Sequence, residues 1–228
     1  MTIKDYSVSQ EDFTLVYDSV LKLYRTTPLP NDLEKYYESE DYISHTDSRK
    51  TLFDKLYQWV KSYNLKHKIK LIKQYKKGNV RLLDIGAGTG DFVRSGKECA
   101  HWETMGIEPS EKARSKAKEK GVLLQADFSN LPPYSFDVIT MWHVLEHVPD
   151  VTQEIQLISN LLKKDGLAVI AVPNYRSWDA QHYGAYWAAY DVPRHLWHFS
   201  KDSIEQLFAK EGFELLAIPV SYTHLTLP

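Results

Sequence analysis

From Asn79 to Asn174 the chain repeats one grammar, in which short apolar runs alternate with segments of helical pattern. The runs are NVRLLDIG, WETMGIE, VLLQAD, FDVITMW and GLAVIAVPN, and between them stand DFVRSGKECA, SEKARSKAKEKG and DVTQEIQLISNLLKKDG. Parallel strands need a connection long enough to hold a helix. Such alternation therefore predicts an α/β fold, a mostly parallel sheet with helices on both faces. A polar and aromatic insertion over residues 174–199 interrupts the pattern before a helix, SKDSIEQLFAKEG, and a last strand, FELLAIPV. At 228 residues and 43% hydrophobic, the chain can bury one substantial core, which favours one domain with an appendage over two full domains.

The appendage comes first. EDFTLVYDSVLKLYR mixes β-branched and aromatic residues around a polar break at Asp18 and Ser19, which predicts a small hairpin. Pro28 and Pro30 then forbid regular structure, and Asn31 or Asp32 can cap a short helix. A long helix is expected from Ser48 to Tyr75, with Leu52, Leu56, Val60 and Tyr63 on one face and Asn64 as a point where it bends. The lysines of KSYNLKHKIKLIKQYKK, set against Leu65, Ile69 and Ile72, read as the solvated face of that helix. The expected organisation is a hairpin and helical cap over residues 1–76, a catalytic domain over 77–220 and a short tail over 221–228.

Composition narrows the classes. A formal net charge of -2 argues against a broad nucleic-acid surface, and Cys99 is the one cysteine, so no internal disulfide and no thiolate pair for zinc can form. No apolar run approaches the roughly 20 residues that cross a bilayer, and the start, MTIKDYSVSQEDF, lacks the basic and apolar regions of a signal peptide. No membrane association and a cytoplasmic location are expected.

The chemistry begins at LLDIGAGTGDF, which puts Gly86, Gly88 and Gly90 where a strand turns into a helix. Glycine there lets a ligand approach the main chain with no Cβ in the way. Asp84 precedes the turn, and Glu108 ends the next strand about 20 residues on, the usual reach of a carboxylate that binds ribose hydroxyls. A nicotinamide dinucleotide site would carry a third glycine or alanine where this chain has Asp91, and a carboxylate beside a pyrophosphate repels it. The spacing suits a cationic ligand without phosphates.

Through DIGAGTG, GIEPS, QADFSNLP and FDVITMWHVLEHV, in this order and spacing, residues 79–173 closely resemble the class I S-adenosylmethionine-dependent methyltransferases. The resemblance implies a Rossmann-like methyltransferase fold and S-adenosylmethionine as cofactor. It places the backbone of Gly86, Ala87, Gly88 and Gly90 against the methionine part and Glu108 on the ribose. Asp127 and Phe128 then flank the adenine, and Met141, Trp142 and His143 sit beside the sulfonium. DVPRHLWHFS further resembles a small-molecule subgroup linked to cell-surface sugars, quinone-like phenols and other metabolites, and the amino-terminal hairpin resembles a zinc-ribbon appendage of its relatives. YDSVLKLYRTTP stands where those relatives carry a cysteine pair, so a degenerate, metal-free remnant is expected.

His143, Glu146 and His147 also form H-x-x-E-H, a pattern of zinc peptidases. Pro149 stops that segment after little more than one turn, with Leu145 and Val148 toward the core, and the position at the carboxyl edge of the sheet explains it without zinc. Some methyltransferases of small phenols and of RNA ends resemble this stretch and hold a divalent cation through two glutamates and a histidine, but His143 replaces the first of those glutamates here, and no metal is expected.

For the acceptor site, the insertion offers Trp178, His182, Tyr183, Trp187, Tyr190, Asp191, Arg194, His195 and His198, a set that suits a substrate lid. Trp178, Tyr183, Tyr190 and Arg194 are the expected substrate contacts. His195 is the favoured base, its pKa lowered by Arg194, and His143 the rival, kept neutral by a helix amino terminus. Ser200 is expected to cap the next helix. Tyr37, Tyr42 and His45 are candidates to close over the cofactor. The expected function is methyl transfer to an oxygen or nitrogen of a small molecule, against a non-catalytic cofactor-binding protein and, third, a zinc hydrolase. The tail SYTHLTLP, with no continuing strand, resembles translated adaptor sequence, and the expectation is a chain whose carboxyl-terminal strand is missing.

Overall fold

The apolar runs after Asn79 pair as expected, because alternate residues of each can be buried on opposite faces of a sheet. A computed structural model describes residues 1–30, 32–36 and 52–219. Its described residues cluster into two units, one drawn from residues 1–36, 143–155 and 172–219, the other from 52–142 and 156–171. Tyr37, Tyr42, His45 and the tail 221–228 lie outside the described residues.

The second unit holds a parallel sheet of β4 (Arg81–Ile85), β5 (Glu103–Ile107), β6 (Phe136–Trp142) and β7 (Leu162–Ala171), in the order β5-β4-β6-β7. In chain order its helices are α1 (Leu52–Tyr75), α2 (Asp91–Ala100) and α3 (Glu111–Glu119), and α4 (Val151–Leu161) ends in it. Leu82 of β4 and Val138 of β6 share one sheet face with Ile69 and Ile72 of α1 and Phe92 of α2. Leu83, Ile85, Ile139 and Met141 point the other way and are equally buried. Full burial of such side chains contributes roughly 1.5–3 kcal/mol each, which fixes the register: a slip by one residue would turn every one of them to the wrong face. Helix α1, expected as part of a separate cap, packs in this unit with the sheet and runs without a break through Asn64.

Two expected strands do not form. VLLQAD contributes one isolated bridge, Gln125 to Ile107, and Leu123 stands exposed. Phe213–Pro219 has no regular structure, with Leu215, Leu216 and Ile218 exposed, because no neighbouring strand among the described residues satisfies its backbone.

The first unit is an antiparallel sheet. The hairpin is β2 (Asp12–Asp18) with β3 (Leu23–Thr27), joined on one side by β1 (Thr2–Lys4) and on the other by β8 (Trp197–His198) from the insertion. Its core is Ile3, Phe13, Leu15, Tyr36, Tyr190 and Val192. Within the insertion lies a short helix, α5 (Trp178–Tyr183), and after it α6 (Lys201–Lys210). Ser200 caps α6 as expected, in a reciprocal capping arrangement with Ser203.

Candidate functional site

In the second unit the turn from β4 to α2 has all three glycines in the left-handed region, Gly86 at φ 69°, Gly88 at 55° and Gly90 at 76°. Their surroundings differ. A Cβ on Gly90 would stand 2.8 Å from Cγ1 of Val122, whereas one on Gly88 would meet nothing within 4 Å. Gly90 is thus a packing glycine, and Gly88 borders the open space a ligand needs. The backbone N–H of Ala87 donates to Ile107 O and that of Gly90 to Ala87 O, both at 2.9 Å, which pins the turn to the end of β5.

Glu108 lies where the sequence puts it. Its Oε2 accepts from the Gly88 N–H at 2.8 Å and its Oε1 from Ser110 N at 2.9 Å. Asp127 accepts from Ser129 N at 2.7 Å, with Phe128 half-buried beside it. Asp84 is 2% exposed and takes one hydrogen bond, 2.6 Å, from the Thr140 hydroxyl. Burial lifts its pKa to about 7, against the pull of that bond and of the Lys68 charge.

Lysines correct the expected solvated face of α1. Lys68 lies with its Nζ 4.2 Å from the Trp142 ring centroid, and burial pulls its pKa down while Asp84 opposes. Lys61 pairs with Asp91 at 2.8 Å, and Lys120 reaches the same carboxylate at 3.3 Å. Burial pushes the Asp91 carboxyl up, but hydrogen bonds from Lys61 and Thr89 hold it below the usual range. With its charge so compensated, Asp91 repels a phosphate less than the bare sequence suggests. The missing third glycine is the better argument against a dinucleotide.

The first unit carries a second cluster. His143 has φ 60°, rare for a side chain larger than glycine, and its exposed ring brings Nδ1 within 3.3 Å of Glu146 Oε1. The segment after it is a single 3₁₀ turn, Leu145–His147, so His143 and His147 do not share the face of an α-helix as H-x-x-E-H suggests. Glu146 is 0% exposed. Burial pushes its pKa up, yet the hydrogen bond from His143 and the charges of His195 and His147 hold it below the usual value. His195 donates from Nδ1 to Ala189 O at 2.9 Å, and burial, followed by His147, drives its pKa to about 4.

Sequence expectations for Arg194 and Tyr190 are corrected here. Arg194 does not cause the His195 shift, and its guanidinium does not face outward: it is 2% exposed and donates to Tyr36 O at 3.1 Å, Ser7 Oγ at 2.5 Å and both carboxylate oxygens of Asp191. Tyr190 is a core residue, edge-on to Trp187. His195, so weakly basic, is also a poor proton acceptor at neutral pH. His198 packs in β8 against the Thr26 hydroxyl at 2.9 Å, and burial, then His195, takes its pKa to about 3. Trp178 and Tyr183 are exposed, at 69% and 54%. The sequence reading gives Glu146 a place only in the H-x-x-E-H pattern and takes Lys68 as solvated.

Residues 55–218 match the profile of a family described as a methyltransferase domain. The ubiquinone biosynthesis O-methyltransferase of Aeromonas salmonicida is 36% identical over 103 residues, which are 41% of this chain and 43% of that protein. The enzyme of the same name from Yersinia enterocolitica is 31% identical over 126 residues, 50% of this chain and 52% of that one. The chain thus spans about half the length of the curated relatives it matches. Among solved structures, a methyltransferase of Thermotoga maritima described as S-adenosylmethionine-dependent and a possible histamine N-methyltransferase superposes with a TM-score of 0.54 at 24% identity, covering 72% of this chain and 78% of that one. At that identity the likeness speaks for the fold.

Proposed function

The chain belongs to the methyltransferase-domain family, of the class I S-adenosylmethionine-dependent type, and from that premise we propose that it binds S-adenosylmethionine and methylates a small-molecule oxygen or nitrogen. The observation that carries the reading is the cradle itself. An open-sided left-handed turn at Gly88 is held by the carboxylate of Glu108, and Asp91 stands where a dinucleotide turn carries its third glycine. These residues fit the cofactor. Gly86, Ala87 and Gly88 offer main chain to its methionine part, Glu108 accepts from its ribose hydroxyls, and Asp127 with Phe128 flank its adenine.

The cofactor supplies an electrophilic methyl group, so the protein's work is to align the acceptor and exclude water. Trp178 and Tyr183, exposed on α5, are the aromatic surfaces we assign to the acceptor, and an aromatic acceptor suits them. The names of the sequence relatives make quinone-like phenols the first acceptors to try. Incubation with methyl-labelled cofactor and a panel of phenols, sugars and amines tests the reading. Labelled product with release of S-adenosylhomocysteine supports it. Tight cofactor binding without turnover on any acceptor favours a non-catalytic binding protein instead.

A further inference from the structure

We propose that the outer stripe of α1 is a docking surface for single-stranded nucleic acid, with Trp59, Tyr63 and His67 taking bases and Lys66, Lys70, Lys73 and Lys77 taking phosphates. Between Asp54 and Asp84 the chain carries no acidic residue, while lysines recur throughout. The formal net charge of -2 averages over this segregation, so it argues against a basic protein but not against a basic stripe. The stripe lies wholly in the second unit and uses none of the cofactor residues, so the inference stands without the cofactor reading.

The rings are the first reason. At 3.6 residues per turn, Trp59, Tyr63, Lys66, His67, Lys70 and Lys73 fall within about 120° of the helix circumference. All of them are exposed. Trp59 is 65% and Tyr63 50% exposed, their rings stacked at 5.8 Å and 21°, and the His67 ring lies 4.1 Å from that of Tyr63. A lone exposed aromatic is ordinary, but a ladder of rings along about 12 Å of helix offers planar faces on which bases stack.

The lysines are the second reason. Other cations of the segment are committed, Lys61 to Asp91, Lys76 to Asp165 and Arg81 to Glu103, while Lys68 lies over Trp142. Lys66, Lys70, Lys73 and Lys77 have no carboxylate partner among the described residues. Lys73 and Lys77 border a cavity of about 320 Å³ with Ala100 and Trp102. It opens just before β4, at the far end of that strand from the glycine turn. Such a row follows a phosphate backbone and gains affinity by releasing its counterions.

The mixture decides the partner. A helix that lies on a membrane buries an apolar face and turns its lysines outward, whereas here rings and lysines share one face. The aliphatic side chains Leu65, Ile69 and Ile72 are already spent on the protein core. An acidic peptide would satisfy the lysines but offers no planar group to the rings. A duplex hides the faces of its bases in its own stack, and a single strand presents both phosphates and free base faces.

The test is fluorescence anisotropy of the full chain with a labelled single-stranded RNA of about 12 nucleotides and mixed sequence. Affinity should fall with salt, log Kd rising against log salt with a slope of about 3, from roughly 0.7 for each of four phosphates. Trp59→Ala and Tyr63→Ala should each weaken binding by about 5-fold or more and leave the slope unchanged, because stacking carries no charge. Joint replacement of Lys66, Lys70, Lys73 and Lys77 by Gln should reduce both affinity and slope. Every substituted side chain is exposed, and circular dichroism checks each fold. A duplex of the same sequence, polyglutamate, and vesicles of phosphatidylglycerol and phosphatidylcholine should all bind the wild type more weakly. No binding of the single strand, equal binding of any of these competitors, or full affinity in a Trp59→Ala, Tyr63→Ala double variant overturns the assignment.

Discussion

Glu108 Oε2 accepts the backbone N–H of Gly88 at 2.8 Å, so one carboxylate holds the glycine turn and, through Ser110 N at 2.9 Å, the start of α3 as well. The turn is therefore held by groups of the protein itself. Glu108→Ala removes both this support and the proposed ribose acceptor, and S-adenosylmethionine affinity should fall by about 1–3 kcal/mol, the scale of a lost charge-assisted hydrogen bond. Glu108→Gln, which keeps an acceptor oxygen, should lose less. Calorimetry with the cofactor decides it, and an Ala variant with wild-type affinity would remove Glu108 from the site.

Gly88 and Gly90 should separate when each is replaced by Ala. At Gly90 a methyl group adds a 2.8 Å clash with Val122 to the strain of φ 76°, and denaturant unfolding should show a loss of about 2–4 kcal/mol. At Gly88 nothing is struck and only the strain of φ 55° remains, roughly 1–2 kcal/mol. For Gly88→Val the effect should instead be loss of cofactor binding, because the branched side chain fills the open space. Equal stability losses at the two positions would contradict this division.

The contrast between these glycines also marks how far the sequence is legible. The parallel sheet, the glycine turn and Glu108 follow from period and spacing, which are local. VLLQAD reads as a strand by its apolar content, yet a strand forms only where a neighbour accepts its backbone, and among the described residues this one pairs only at Gln125, in one isolated bridge to Ile107. Arg194 reads as a substrate cation because its partners Ser7 and Tyr36 are far away in the chain. Lys68 reads as solvated although it lies over Trp142. Long-range burial of charge has no periodicity to betray it.

Asp84 predicts a dependence of stability on pH. Its pKa is about 7 in the fold against an ordinary value of 3.8, so the folded chain holds the proton more tightly than the unfolded one. The contribution is full below pH 3.8 and is lost as pH rises through about 7. At 1.36 kcal/mol per pKa unit the loss between pH 4 and pH 8 is about 4 kcal/mol. Asp84→Asn keeps an acceptor for Thr140 and has no proton to lose. Its unfolding free energy, relative to wild type, should rise across that range by this amount. A constant difference from pH 4 to pH 8 would mean that Asp84 is ionised throughout, paired with Lys68.

Arg194 is the last test, because sequence and structure give it opposite roles. Buried at 2% exposure, its guanidinium joins Ser7, Tyr36 and Asp191, with Asp5 Oδ1 at 3.8 Å. Removing one member of such a network leaves buried charge uncompensated, so Arg194→Met should destabilise the chain by about 3–5 kcal/mol. Arg194→Lys should recover only part of this, since one ammonium cannot present donors in the planar fork that reaches three partners. Denaturant unfolding of both variants reads the structural role. If Arg194→Met unfolds like wild type but raises KM for the acceptor, the guanidinium faces the substrate after all, as the sequence alone suggests.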